Sequence, residues 1–247
     1  MLHEPTVEKL YGMRLASMAE AWEQQSKDPK IGTLSFDERF ALLVDAEHTA
    51  RDNRRLTKLM KDAQLRIPNA SIEDIETSAA RGLDKAHARQ LAGCAWVNEH
   101  HNVLLSGPTG VGKSYIACAL AQSACRKGYR VLYRRVPRLL DELALARAEG
   151  SSARLLARLA KNDVLVLDDW GLGTLKDTQR HDLLEVIEDR YGRVSTIVTS
   201  QLPMPKWHEW IADPTLADAI LDRLVNNAYK IDLKGNSRRK DKTGNAN

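Results

Sequence analysis

The sequence predicts an α/β protein in which a parallel sheet carries helices on both faces and is preceded by a small all-α domain. Two observations point there. From Thr6 to about Met60 the pattern is helical, with Leu10, Met13, Met18 and Trp22 on one stretch and Phe36, Phe40, Leu43, Val44 and Glu47 on another. Later the style changes to short β-branched or apolar runs at 102–106, 129–133, 164–167 and 195–199, separated by helical segments long enough for crossovers. Runs that are apolar throughout belong to strands buried on both faces.

Taken in order, the helical period breaks first at residues 27–32, where Pro29 lacks a donor and Gly32 frees the backbone. Ser35 followed by Glu38 is a capping box that opens the next helix. Arg66, Ile67 and Pro68 end the pattern, and the polar, small stretch after them predicts a linker. The expected organisation is therefore a helical domain at 1–68, a linker at 69–84, the sheet domain at 85–235 and a basic polar tail at 236–247.

At 247 residues the chain is long enough for a real core, and 43% hydrophobic with 28% charged residues is ordinary soluble usage. A net charge of +4 permits a nucleic-acid or acidic partner without demanding one. Cys94, Cys118 and Cys125 have neither paired spacing nor a zinc pattern and read as buried thiols in a reducing compartment. The acidic, polar start and the lack of an apolar run near 18 residues predict no membrane anchor and a cytoplasmic location. His100, His101 and His181 lack metal-ligand spacing, and His208 sits between Trp207 and Trp210, where packing is the better reading. No nucleophile elbow and no H-E-x-x-H motif occurs.

The chemistry is carried by Gly107, Pro108, Thr109, Gly110, Val111, Gly112, Lys113 and Ser114, which fit G-x-x-x-x-G-K-[ST] between a predicted strand and a helix at 115–127 that opens with Tyr115. Its glycines let backbone N–H groups turn inward around phosphate, and the helix N-terminus adds partial positive charge. Lys113 would neutralise the β- and γ-phosphates of ATP, and Ser114 would offer its hydroxyl to Mg²⁺. The run 164–167 ends in Asp168 and Asp169. Asp168 would hold the metal, and Asp169 would orient or deprotonate the attacking water. Thr199, Ser200 and Gln201 end the last predicted strand, and Ser200 is the candidate for a polar contact beside the γ-phosphate.

With these strand ends in order, the chain resembles the AAA+ ATPases of the DnaC-like clade, and within it the IstB-like transposition helpers. The resemblance spans nearly the whole chain: the helical start, the run Arg81, Gly82, Leu83, Asp84, the glycine-rich loop, the aspartate pair followed by Trp170 and Gly171, and the Thr199 to Gln201 ending. Asp169 stands where many members carry glutamate, one methylene longer. The resemblance implies ATP hydrolysis, subunits that complete each other's sites across ATP-bridged interfaces, binding of duplex DNA with little sequence preference, and a transposase partner from the same element in a bacterial cytoplasm. It makes Arg223, in the run 219–224, the candidate arginine finger, with Arg190 as runner-up; without it, a surface arginine paired with Asp218 or Asp222 is the simpler reading. It also suggests a second phosphate sensor around Gly235, Arg238 and Arg239. A DnaC-like helicase loader is the alternative. Outside this family, a small-molecule kinase or a passive DNA-binding protein with a structural ATP site would share the loop.

Three basic clusters suit phosphate. Arg51, Arg54, Arg55, Lys58 and Lys61 fall on one helix face. A second cluster, 126–138, contains Arg134 and Arg135, and a third lies in the tail from Lys230 to Lys242. Such runs are as often solvated faces, and the resemblance is what tips them toward DNA. The first and third lack interleaved aromatics for base stacking, which fits duplex rather than single strands.

Overall fold

The computed structural model describes residues 3–237, and the chain divides into two compact units, 1–58 and 59–247. In the first, α1 (His3–Gly12) and α2 (Ala16–Lys27) pack through Val7, Leu10 and Ala19 against Leu15, Met18 and Trp22. A 3₁₀ turn at Ile31–Thr33 follows the predicted break, and α3 (Phe36–Ala63) starts at the predicted box: Ser35 N donates to Glu38 Oε2 at 2.8 Å, and Glu38 N to Ser35 Oγ at 3.3 Å.

The apolar stretch of α3 is split by the helix geometry. Leu43 and Glu47 face inward, one turn apart, whereas Phe36, Phe40 and Val44 form a stripe that stays exposed, with the two phenyl rings stacked at 5.9 Å. Glu47 is a buried hub. Its Oε2 accepts from Ser17 N at 3.0 Å and Met18 N at 3.2 Å, first-turn amides of α2 that Leu15 cannot cap. Its Oε1 accepts from Arg51 at 2.7 Å and Arg54 at 3.2 Å. The Arg51 hydrogen bond first, then the amides and the Arg51 charge, hold the Glu47 carboxyl below its ordinary value against the opposing effect of burial.

The second unit holds five parallel strands in the order β2-β3-β4-β1-β5. They are β1 (Asn102–Ser106), β2 (Val131–Arg135), β3 (Val164–Trp170), β4 (Ser195–Ser200) and β5 (Ala228–Asp232). The connecting helices are α4 (Lys85–Ala92), α5 (Ala95–Asn98), α6 (Lys113–Arg126), α7 (Val136–Ala148), α8 (Ser152–Ala160), α9 (Asp177–Glu188), α10 (Trp207–Ile211) and α11 (Pro214–Val225). Asp84 and Asp213 cap α4 and α11, each accepting from an amide three residues on at 2.9 Å. Every residue of β1 and β4 is buried, and Leu104, Leu132, Leu139, Leu165, Val198 and Ile220 belong to one core.

Four strands lie where the sequence placed them, with two adjustments. β2 begins and ends two residues later than expected, because Tyr129 N still bonds back to Ala124 O beyond the end of α6. β3 runs on through both aspartates to Trp170. The fifth strand, β5, was not expected: it is an edge strand interrupted by Lys230, with only Ile231 buried. The segment 69–84, read as a linker, packs onto this unit instead: Ala70, Ile75 and Leu83 are buried, and Lys234 N donates to Arg81 O at 3.0 Å. All three cysteines are buried and free, and burial pushes the thiols of Cys94 and Cys118 up to about 11 and that of Cys125 to about 12. Among the described residues no helix is long and apolar enough to cross a membrane.

Candidate nucleotide site

β1, β4 and β3 are neighbours, so their carboxyl ends converge: Ser106 is level with Ser200, and Ser200 with Trp170. That is where an open parallel sheet collects its ligand. From the end of β1 the chain turns through Gly107 to Gly112 into α6. Gly107 has φ +141° and lies so close to Leu233 that an added Cβ would sit 2.2 Å from its carbonyl oxygen; Gly112 has φ +100° with open space around it. Gly112 precedes the first turn of α6, whose amides have no side-chain cap. Uncapped N–H groups plus the helix dipole make an anion cradle. Lys113, buried, donates to Gly107 O and Pro108 O at 2.7 Å each and so holds the loop closed on itself.

The two expected metal-side groups meet. Ser114 Oγ donates to Asp168 Oδ1 at 2.8 Å, although 54 residues separate them. Asp168 is fully buried; Thr199 donates to the same oxygen, Tyr133 donates to Oδ2, and Arg66 Nη1 reaches Oδ2 at 3.5 Å. Burial, then the Asp168 carboxylate, pushes the Tyr133 phenol well above its ordinary range. Among the described residues no group of three or more His, Cys, Asp or Glu is placed to hold a metal ion. One hydroxyl and one carboxylate fit Mg²⁺, which keeps waters and takes phosphate oxygens, and would be a poor site for a structural zinc.

Asp169 sits at a register shift between β3 and β4, in the left-handed region at φ +62°. This conformation is strained for a residue with a Cβ, and such strain clusters at functional positions. The Asp169 side chain lines the cavity, and Arg135 Nε holds its Oδ2 at 2.7 Å.

A cavity of about 910 Å³ opens over the loop, lined by residues 109–116 with Asp169, Thr199 and Gln201. Segment 66–81 supplies the rest: Arg66, Ile67, Asp74, Ile75 and Arg81. None of these five is read as a site residue from the sequence: Arg66 and Ile67 mark the end of the helical pattern, Arg81 belongs to the run that carries the resemblance, and Asp74 and Ile75 lie in the stretch read as a linker. Arg81 Nη2 donates to Val111 O at 2.9 Å, and the Tyr115 hydroxyl accepts from Ser71 N at 3.2 Å, tying the segment to the loop.

Several expected residues are placed otherwise. Ser200 does not face the cavity: strand alternation buries it, and its hydroxyl donates to Trp170 O at 2.7 Å. Thr199 and Gln201 face the site instead, Gln201 accepting from Thr109 at 2.8 Å. Arg190 is buried with its donors spent on Leu159 O, Asn162 O, Ser195 O and Thr196, so it cannot reach a neighbouring subunit. Arg134, only 11% exposed, pairs with Glu142, and Arg135 pairs with Asp169. Arg51 and Arg54 are tied to Glu47, while Arg55, Lys58 and Lys61 continue the exposed face. Arg238 and Arg239 lie outside the described residues.

Arg223, on α11, is remote from the chain's own loop. Its carbonyl accepts from the side chain of Asn102, at the opposite end of β1 from Gly107, roughly 15 Å away along the strand. Its guanidinium pairs with Glu188, not with Asp218 or Asp222, and lies 5.9 Å from the Tyr191 ring.

The chain is similar to several known proteins. An insertion sequence ATP-binding protein of Sinorhizobium fredii is 49% identical over 241 residues, covering 98% of each chain, and one of Pseudomonas fluorescens is 47% identical over 229 residues, covering 87% of this chain and 99% of its own. The solved structure of the DnaC helicase loader shares the fold, with a TM-score of 0.54 and 22% identity over 67% of this chain and 97% of its own. The family described as IstB-like ATP binding protein matches residues 8–246, and the chain belongs to it.

Proposed function

We propose that this protein is an ATPase that assembles on duplex DNA and assists the transposase of an insertion sequence. The observation that carries the ATPase half is the meeting of Ser114 and Asp168 beside the cradle of α6. Lys113 would leave the loop carbonyls for phosphate oxygens, and Ser114 and Asp168 would hold Mg²⁺, which when bound supplies charge neutralisation of the phosphates. Asp169, freed from Arg135, orients the attacking water and takes its proton. Arg223 lies too far from its own loop to act there and is supplied to the site of a neighbouring subunit.

The names of the insertion sequence relatives support the transposition half. Arg51, Arg54, Arg55, Lys58 and Lys61 are all exposed on α3, and a duplex laid along that face meets cations without base-reading groups. The test is particle mass by light scattering with duplex DNA, with and without ATP and Mg²⁺. Growth to a discrete complex that needs all components supports the reading. A monomer under every condition, with ATP turned over only when a small acceptor is present, would favour a kinase.

A further inference from the structure

Tyr133 lies buried in the middle of β2 and has no part in the chemistry above, yet its hydroxyl donates to the metal-side carboxylate. The two oxygens of Asp168 are treated differently. Oδ1 takes the hydroxyls of Ser114 and Thr199, and Oδ2 takes Tyr133, with Arg66 at the outer limit of hydrogen-bond distance, 3.5 Å. A carboxylate turns about its Cβ–Cγ bond and exchanges its oxygens unless something distinguishes them. Here the register places Arg135, two residues after Tyr133, level with Asp168, so β2 brings the phenol alongside by strand pairing.

We propose that Tyr133 is a positioning residue for the metal: its hydroxyl fixes Oδ2 of Asp168 so that Oδ1 stays on the Ser114 side, where Mg²⁺ is received. This rests on the Mg²⁺–ATP reading of the site. A neutral donor suits the task, because it orients the carboxylate and leaves its full charge for the cation, whereas a lysine at the same place would compete with it. Groups that orient a metal ligand in this way typically change metal affinity by 10–100-fold when lost, and Tyr133→Phe removes the donor while keeping the buried ring.

The experiment is calorimetric titration of wild type and Tyr133→Phe with a non-hydrolysable ATP analogue, first in EDTA and then across a Mg²⁺ series. The expected result is unchanged affinity in EDTA, a half-saturating Mg²⁺ concentration raised by about 10–100-fold, and full recovery of binding at high Mg²⁺. An unchanged Mg²⁺ dependence overturns the proposal. So does loss of nucleotide binding in EDTA, since that marks a structural role. If wild type itself binds the analogue with no Mg²⁺ dependence, the metal reading of Ser114 and Asp168 fails first, and the proposal with it.

Discussion

Arg135 Nε lies 2.7 Å from Asp169 Oδ2, so the carboxylate proposed to activate water is held by a cation from the neighbouring strand. In the proposed mechanism this pair restrains the residue that acts on water. Arg135→Ala is therefore expected to raise basal ATP turnover several-fold and leave nucleotide affinity unchanged, whereas Asp169→Asn should lower turnover by about 10²–10⁴-fold. Phosphate release and analogue binding measured side by side check this. Parallel loss of turnover in both variants would show that Arg135 serves the reaction rather than restraining it.

The glycines of the loop should not be equivalent. An alanine Cβ at Gly107 meets the Leu233 carbonyl oxygen at 2.2 Å, a backbone atom that cannot swing aside, while at Gly112 it meets nothing within 4 Å. Both positions have positive φ, so each substitution carries the strain of a left-handed alanine, about 1–3 kcal/mol. Gly107→Ala adds the clash and is expected to lower the thermal midpoint clearly more than Gly112→Ala. Equal midpoints would mean that the segment around Leu233 yields without loss.

Most of the sheet and the phosphate end of the site were legible because their signals are local. The loop needs glycines and a lysine at fixed spacing, and buried strands read as short apolar or β-branched runs in β1, β3 and β4. What could not be read depends on long-range contacts. β5 is half-exposed and carries Lys230, so its pattern is no stronger than that of a loop. The segment 69–84 is polar at most positions, and only the pairing of Arg81 with Val111 O and the burial of Ile75 make it a wall of the cavity. Ser200 and Thr199 are adjacent in a strand whose facing is set by the bulge at Asp169, which no sequence period reports. Arg134 and Arg135 looked like part of a basic surface because their acidic partners, Glu142 and Asp169, are 8 and 34 residues away.

Glu47 links α2 to α3 and gives the helical unit an acid sensitivity. Its carboxyl is held below the ordinary 4.5 by the Arg51 hydrogen bond first and the Ser17 and Met18 amides after it. A depressed folded-state value means that the stabilisation is complete above the unfolded value and is lost as pH falls through the folded one. Glu47→Gln should destabilise this unit at neutral pH, and the difference from wild type should shrink as pH drops below the ordinary carboxylate range. Helical circular dichroism during thermal melts at neutral and acid pH measures it. A difference that stays constant with pH would mean that packing, not charge, makes Glu47 important.

Arg223 gives the sharpest test of the proposed cooperation between subunits. Within its own chain it bonds to Ala219 O at 2.7 Å and pairs with the half-exposed Glu188, contacts whose loss should change stability by less than about 1 kcal/mol. Arg223→Ala should therefore fold and bind nucleotide as wild type does, and fail to hydrolyse it. Asp169→Asn should fail for a different reason, keeping its arginine intact. When the two inactive variants are mixed, some interfaces pair an intact loop and Asp169 with an intact Arg223, so partial turnover should return with DNA present. Mixed assemblies that form at the normal mass yet remain inactive would remove Arg223 from the site of the neighbouring subunit and leave its pairing with Glu188 as its only role.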